Sequence, residues 1–280
     1  MHSARLKNGR IISANDYLPD EHGSALYCLD LMCNVPVHYV QESEKVPFFK
    51  TSGKADSVHK EGCAFASKLT FEHAVSKVSA FQQEFSDNGL DEFIVRLNTN
   101  KLDPDYVPIE RGEPKEKEVD PNAIKEIKEK KEKKDSPQTL SSLASLVKLF
   151  TSVEPDLLAT VKISYKGHKL PISLLISDYH SIHHRLWNEE TLDIPYFIHG
   201  KIHKIIRLPK VLYLNMHDAE DYYFSIIVFE KYFKHFTYKD EELLDRSILV
   251  MGKLRKNTFT KGMKNTEMII KSNQYLEFLE

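Results

Sequence analysis

Apolar residues recur at helical spacing in two stretches of the chain. After Thr70, a residue type that caps helices, Phe71, Val75 and Val78 follow the spacing of one helix face. A second stretch, 140–151, repeats this spacing. The pattern therefore predicts two amphipathic helices, one on each side of a highly charged segment in the middle of the chain.

The first 66 residues carry only short apolar pieces separated by glycine and proline. Examples are Ile11-Ile12, Leu26-Tyr27 and Phe48-Phe49. Runs of this length, bounded by turn-forming residues, are typical of small strands. A further strand is predicted over 93–97. The front of the chain is therefore predicted to be a small α+β unit with little core of its own.

The rear of the chain alternates between apolar and polar residues with the period of two that strands produce. A hairpin is predicted from 159–165 to 170–176, and five strands follow from Ile194 onward. Those strands span 196–207, 212–217, 222–229, 247–254 and 266–271, and a helical connection over 230–244 joins the third to the fourth. The predicted inward-facing residues are Ile198, Ile202, Leu212, Leu214, Met216, Phe224, Ile226, Val228, Ile248, Val250 and Leu254.

This strand order is that of the OB-fold, a five-stranded Greek-key barrel. Gly200 lies within the first strand and Gly252 within the fourth, where a residue without Cβ would relieve the sharp coiling of a small barrel. The segments Val228–Phe233 and Val250–Leu254 resemble nucleic-acid-binding OB modules of the polymerase-associated and anticodon-binding kind. The resemblance covers 194–280 and implies that the barrel binds oligonucleotides.

A charged segment divides the chain. Residues 113–136 hold eight lysines and eight acidic side chains in alternation, with too few apolar residues to form a core. Alternating charges favour a solvated helical linker over a basic tract that binds nucleic acid. The predicted organisation is α+β: a zinc-stabilised domain (1–112), the charged linker (113–136), a helix and hairpin extension (137–193) and a five-stranded OB-fold barrel (194–280).

Composition narrows the class of protein. The chain has 280 residues, 41% of them hydrophobic, with a mean hydropathy of -0.42, which excludes global disorder. No apolar run is long enough to cross a membrane, and the first ten residues lack the apolar core of a secretory signal. We therefore expect a cytoplasmic protein without a membrane partner.

All three cysteines lie in the front part. Cys28, Cys33 and Cys63, with His59, form a C-x4-C-x25-H-x3-C pattern. Three thiolates and one imidazole complete the tetrahedral shell of a structural zinc ion and leave no catalytic opening. His22 and His38 are the reserve ligands. The alternative is three ordinary buried cysteines beside a surface histidine, since free cysteine is often buried.

These residues also carry a resemblance to a known family. Tyr27-Cys28 to Cys33, then Pro47-Phe48-Phe49, then His59 to Cys63 resemble the N-terminal zinc-ribbon-like segment of competence proteins of the CoiA type. The resemblance covers about 5–66 and implies a bound zinc ion. The first cysteine pair is C-x4-C here instead of C-x2-C, and no nuclease core follows, so nuclease activity is not implied.

Basic and aromatic residues in the rear part suggest a nucleic-acid surface. Two stretches, 194–217 and 253–264, contain lysine and arginine without any acidic residue. If the barrel gathers them into one trough, phosphates would bind the cations and bases would stack on tyrosine rings. The predicted contacts are Lys201, Lys204, Arg207, Tyr213, Tyr223, Lys253, Arg255, Lys256, Lys261 and Lys264. The alternative is a soluble barrel that docks to another protein.

Sequence motifs give little support to catalysis. His180, His183 and His184 lie close to Asp178, which would allow a metal-dependent nuclease, but none of the common nucleotide-binding, hydrolase or zinc-protease motifs is present. The sequence therefore favours a non-enzymatic accessory protein that binds single-stranded DNA or RNA in bacterial or phage replication, recombination or regulation. The net acidic front part favours a protein partner there. The alternative function is a protein-interaction module of a phage or mobile element.

Overall fold

The structure is a computed structural model that describes residues 1–42, 46–86, 93–107, 139–216, 223–258 and 262–279. The predicted charged linker, 113–136, therefore lies outside the described residues. Within the described residues the chain is mixed α+β, as the sequence predicts, with three sheets. No helix among these residues has the length and apolar character needed to cross a membrane.

The front of the chain forms a small antiparallel sheet. Its strands are β1 (Ser3–Leu6), β2 (Ile11–Ser13), β3 (Leu26–Tyr27), β4 (Pro36–Val40) and β5 (Phe48–Lys50), with a short helix α1 (Pro19–His22) between β2 and β3. The strands lie in the order β2-β1-β3-β4-β5. Their core is small, and it includes the side chains of all three cysteines.

The middle of the chain combines helices with a four-stranded sheet. Its elements are α2 (Phe71–Ser86), β6 (Phe93–Leu97), β7 (Thr139–Leu140), α3 (Leu143–Ser152), α4 (Pro155–Ala159), β8 (Val161–Tyr165), β9 (His168–Pro171), α5 (Ile172–Leu175), β10 (Ile176–Asp178) and α6 (Tyr179–Trp187). The two amphipathic helices predicted from apolar spacing are α2 and α3. The second arm of the predicted hairpin is shorter than expected, because the chain turns into α5 after Pro171.

Strand β6 joins the two sides of the charged segment. It pairs in parallel with β7 and with β8, so the middle sheet has the order β7-β6-β8-β9. One continuous core contains Phe71 and Phe81 of α2 together with Phe150 of α3 and the interior of the rear sheet. The division at 112/113 stays a prediction, but residues before and after the charged segment share both a sheet and a core.

The rear strands form a sheet that curls back on itself. They are β11 (Pro195–Lys201), β12 (Lys204–Leu208), β13 (Val211–Asn215), β14 (Tyr223–Phe229), β15 (Ser247–Thr258), β16 (Lys264–Ile269) and β17 (Leu276–Phe278), with α7 (Asp240–Leu243) between β14 and β15. The sheet runs β10-β11-β15-β16-β14-β13-β12, and β17 pairs with β15. The predicted first strand is two strands, since the ladder breaks at Ile202 and His203.

The residues predicted to face the interior of the rear sheet do lie in its core. Ten of the eleven predicted inward-facing residues are fully buried, and Leu254 is partly buried against the same core. The two strand glycines serve close packing: a Cβ at Gly200 would lie 2.8 Å from Cδ1 of Tyr179, and one at Gly252 would lie 2.6 Å from Cγ of Met268. Both distances are too short for a carbon contact, so a larger residue at either position would force Tyr179 or Met268 to shift.

Candidate functional site

Two tight turns carry the four predicted metal ligands. Cys28 and Cys33 flank a turn after β3, in which the amide of Cys33 donates to the carbonyl of Asp30. His59 and Cys63 flank a second turn, in which Gly62 has a φ of 76° that favours glycine. The structure thus places each pair on its own turn, as the spacing predicts.

The four ligand atoms form one compact group. The sulfurs of Cys28 and Cys63 are 3.7 Å apart, and Nδ1 of His59 lies 3.5 Å from Sγ of Cys33 and 3.4 Å from Sγ of Cys63. All four atoms lie within 4.8 Å of one another. A tetrahedral zinc shell with Zn–S bonds of about 2.3 Å and Zn–N bonds of about 2.0 Å has edges of about 3.5–3.8 Å. The donor set and its spacing therefore fit a tetrahedral metal ion.

The two reserve histidines lie outside this group. Nδ1 of His22 contacts the backbone of Leu18, and the ring stacks on Tyr17. His38 is exposed on β4. His59 is therefore the histidine that the fold brings to the cysteines.

The sulfur contact changes the acidity of the two thiols. The hydrogen bond between Cys28 and Cys63 raises the pKa of Cys28, and burial adds to this rise. The same hydrogen bond lowers the pKa of Cys63 to about 6, while burial opposes it. The thiolate is the form that binds metal, so the lowered pKa of Cys63 favours it as a ligand.

Asp30 holds the two turns together, a role that sequence reasoning did not assign. Its carboxylate accepts hydrogen bonds from the amides of Met32 on the first turn and Ala64 on the second, and from Nζ of Lys77 at 2.7 Å. Although burial opposes it, the hydrogen bonds from Lys77 and Ala64 hold the pKa of Asp30 below its usual range. The signal in the sequence that could have identified it is its place between Cys28 and Cys33.

The rear basic residues do not form the single trough that the sequence predicts. Successive side chains on a strand point to opposite faces, so Arg255 and Lys256 lie on different sides of β15. Lys201 pairs with Ser247 and Lys253 with Pro195 in the β11–β15 ladder. Six residues of strand, about 20 Å, separate these two lysines.

Acidic residues from other parts of the chain contact several of these cations. Lys201 pairs with Asp245 at 3.1 Å, and Arg207 pairs with Asp240 at 2.6 Å. Lys253 pairs with Asp193 at 2.7 Å, Lys256 with Glu189 and Arg255 with Glu267. Asp240 and Asp245 lie beside these cations because the connection between β14 and β15 brings them to β11 and β12.

The outer face of the curled sheet holds a smaller set of the predicted residues. Lys204 is opposite Asn215 on β13, and both share a face with Tyr213. Lys204 is exposed and Tyr213 is half-buried. The structure places Tyr223 on β14, opposite Asn265 on β16. Lys261 lies outside the described residues.

A row of polar side chains crosses this outer face between Lys204 and Arg255. Register pairs Lys204 with Asn215, Asn215 with Ser225, Ser225 with Glu267 and Glu267 with Arg255. Oγ of Ser225 donates to Oδ1 of Asn215 at 2.8 Å, and Nε of Arg255 donates to Glu267 at 3.0 Å. The row thus has a cation at each end, Lys204 and Arg255, and the side chains between them on the three middle strands are buried.

The histidine cluster of the sequence lies on α6. His183 is buried, with Nδ1 2.9 Å from Oγ1 of Thr266. In the part of the chain that the structure describes, the cysteine group is the one set of three or more His, Cys, Asp or Glu side chains close enough to share a metal ion. The described geometry therefore gives His183 a buried hydrogen bond to β16, and a nuclease site stays a prediction.

No family model matches the sequence, and no curated protein matches it. Among solved structures, the chain is similar in part to the Stn1–Ten1 complex of S. pombe, with 19% identity over 31% of this chain and 58% of that chain, at a TM-score of 0.22. The mitochondrial single-stranded DNA binding protein Rim1 of S. cerevisiae matches at 16% identity over 31% of this chain and 92% of its own, with a TM-score of 0.20. The asparaginyl-tRNA synthetase of Pyrococcus horikoshii matches at 14% identity over 33% and 22%, with a TM-score of 0.22. This chain therefore covers just over half of the matched Stn1–Ten1 chain and about a fifth of the synthetase. TM-scores this low assign neither family nor function. The resemblance of 5–66 to the CoiA-type segment stays a prediction.

Proposed function

We propose that the rear sheet is an OB-type barrel that binds single-stranded nucleic acid, and that the front sheet is stabilised by a zinc ion. The observation that supports the barrel is its cycle of strand pairs. With β11 and β12 taken as one bent first strand, each of the five strands pairs with two others of the set, and the cycle closes on the first strand. The third and fifth strands, β14 and β16, are the one parallel pair in that cycle. OB barrels bind oligonucleotides on the face of their second and third strands.

The outer face of β12, β13 and β14 has the chemistry for such a ligand. Lys204 offers a flexible ammonium group to a phosphate, and Tyr213 lies on the same face with a ring on which a base can stack. Arg255 lies at the far end of the polar row, with more than half of its side chain exposed. A strand that follows the row would meet a cation at each end.

The zinc proposal rests on the Cys28, Cys33, His59 and Cys63 group. Bound zinc would have three thiolates and one imidazole as ligands, a closed set that serves structure. It would join the turn after β3 to the turn before α2. In this role the ion holds the front sheet against α2 and takes no part in binding the nucleic acid.

Fluorescence anisotropy with labelled single-stranded DNA of about 16 nucleotides tests the barrel proposal. We expect binding at low salt, with the logarithm of the affinity falling linearly against the logarithm of salt concentration by about 0.7 per phosphate contact. Lys204→Ala should lower this slope by about 0.7, and Tyr213→Ala should weaken binding by about 1–3 kcal/mol. Lys169→Ala, an exposed lysine on β9, is the matched control and should change neither quantity. Flat anisotropy at low salt would remove the proposal and favour a barrel that docks to another protein.

A further inference from the structure

Trp187 is fixed at the edge of the rear sheet, at the end of α6. Its indole nitrogen donates to Oγ1 of Thr266 on β16 at 3.3 Å, and the same hydroxyl lies 2.9 Å from Nδ1 of His183. The ring is half-buried. Because two elements hold it, the indole presents a fixed aromatic surface beside the β15–β16 hairpin.

Two lysines lie against this ring. Nζ of Lys256 is 5.4 Å and Nζ of Lys264 is 5.2 Å from the ring of Trp187. Lys256 is the register partner of Thr266, and Lys264 lies two residues before Thr266 on β16. All three therefore point to the same side of the hairpin, the side that carries the indole. Cations within about 6 Å of an aromatic face are attracted to it.

We propose that Trp187, Lys256 and Lys264 form a contact site for single-stranded nucleic acid, with the indole stacking on a base and the two ammonium groups binding the flanking phosphates. The inference rests on the proposed function and extends its site from the barrel to α6. An aromatic platform between cations is the arrangement by which proteins bind single strands without reading a sequence. An ammonium group beside a stacked base also lies close to the phosphates on either side of that base.

A carboxylate occupies the place that a phosphate would take. Glu189, two residues after Trp187, forms an ion pair with Lys256, and its side chain is 83% exposed. Exposed ion pairs contribute little, so a phosphate of a bound strand can displace this carboxylate. In the free protein the carboxylate of Glu189 neutralises Lys256, and in the complex a phosphate takes its place. An acidic residue beside the site is therefore compatible with nucleic-acid binding.

Trp187 is the single tryptophan of the chain, so its fluorescence reports on this site alone. Unlabelled single-stranded DNA, titrated into the full chain, is expected to quench the tryptophan emission with the same midpoint that anisotropy gives for labelled DNA. If anisotropy rises while the emission stays constant, DNA binds elsewhere and this inference is overturned, but the proposed function stands. If anisotropy stays flat, both are overturned.

Substitutions distinguish a contact with nucleic acid from a role in packing the protein. Trp187→Ala is expected to weaken binding about tenfold, while Trp187→Phe, which keeps a stacking ring, should keep most of the affinity. Lys256→Ala with Lys264→Ala should lower the salt slope by about 1.4, and Glu189→Gln should tighten binding up to about fivefold at low salt. Circular dichroism melts show which variants remain folded. Unchanged affinity in a folded Trp187→Ala protein, or an unchanged salt slope in the lysine variant, contradicts the inference.

Discussion

Removal of zinc from the Cys28, Cys33, His59 and Cys63 group is expected to lower the melting temperature of the protein by about 10 °C, with the front sheet unfolding first. The strands of this sheet are two to five residues long, and the cysteine side chains are part of its small core. Such a sheet has little apolar area of its own, and metal binding adds directly to the folding free energy. At about 2.1 cal/mol/K of unfolding entropy per residue, a loss of about 6 kcal/mol corresponds to this shift for a chain of this size.

Metal analysis and thermal melts together check this expectation. Protein prepared without chelator should contain one zinc ion per chain, and Cys63→Ser or excess chelator should produce the lower melting temperature. His59→Ala should act in the same direction, while His38→Ala, an exposed histidine of β4 outside the group, is the matched control. Protein without bound metal whose melting is unaffected by Cys63→Ser would contradict the zinc proposal.

Gly252→Ala is expected to destabilise the rear sheet by about 1–3 kcal/mol, the usual range for an overfilled core. The added Cβ would lie 2.6 Å from Cγ and 3.0 Å from Sδ of Met268, and 3.4 Å from the carbonyl oxygen of Ile269. Met268 is fully buried, so its side chain has little room to move away. The measurement is the free energy of unfolding by denaturant.

A double-mutant cycle isolates this contact. Met268→Ala alone should cost about 2–5 kcal/mol because it leaves a cavity. In that background Gly252→Ala should cost much less than it does alone, since the new methyl group then fills part of the vacated space. Equal costs in the two backgrounds would mean that Met268 does not determine the choice of glycine at position 252.

The sequence predicted local features of the rear sheet well. Along β13 the alternation marks the one face that is buried, whereas β14 and β15 are buried on both faces, since Ile227, Leu249 and Met251 of the outward parity are at most 2% exposed. The prediction failed where the chain must bend: the first strand breaks at Ile202 and His203, and the inward parity passes from Ile202 to Ile205, which is opposite the buried Leu214. A single unbroken strand with one parity could not include this change.

The metal group was predictable because the chain has only three cysteines and each ligand pair, Cys28 with Cys33 and His59 with Cys63, is close in sequence. Whether the basic residues share one trough could not be predicted from the sequence. Two facts decide it, and neither can be read from the positions of charged residues along the chain. One is strand parity, which places Arg255 and Lys256 on opposite faces. The other is the tertiary position of acids such as Glu189 and Asp240, which are remote in sequence from the cations they contact. Trp187 was missed for the same reason, since its lysine neighbours come from β15 and β16.

The parallel pairing of β6 with β7 and β8 also bears on how the length of the chain can change. Between Leu97 and Thr139 the chain leaves the middle sheet and returns to the adjacent strand, where Leu97 is opposite Leu140. Both ends of that excursion are fixed by the sheet itself. The described start of the excursion is anchored as well, since Leu102 is buried and Asp103 forms an ion pair with Lys271, which follows β16. A change of length within 98–107 would therefore disturb contacts between the middle and rear sheets, and is expected to lower the melting temperature of the protein.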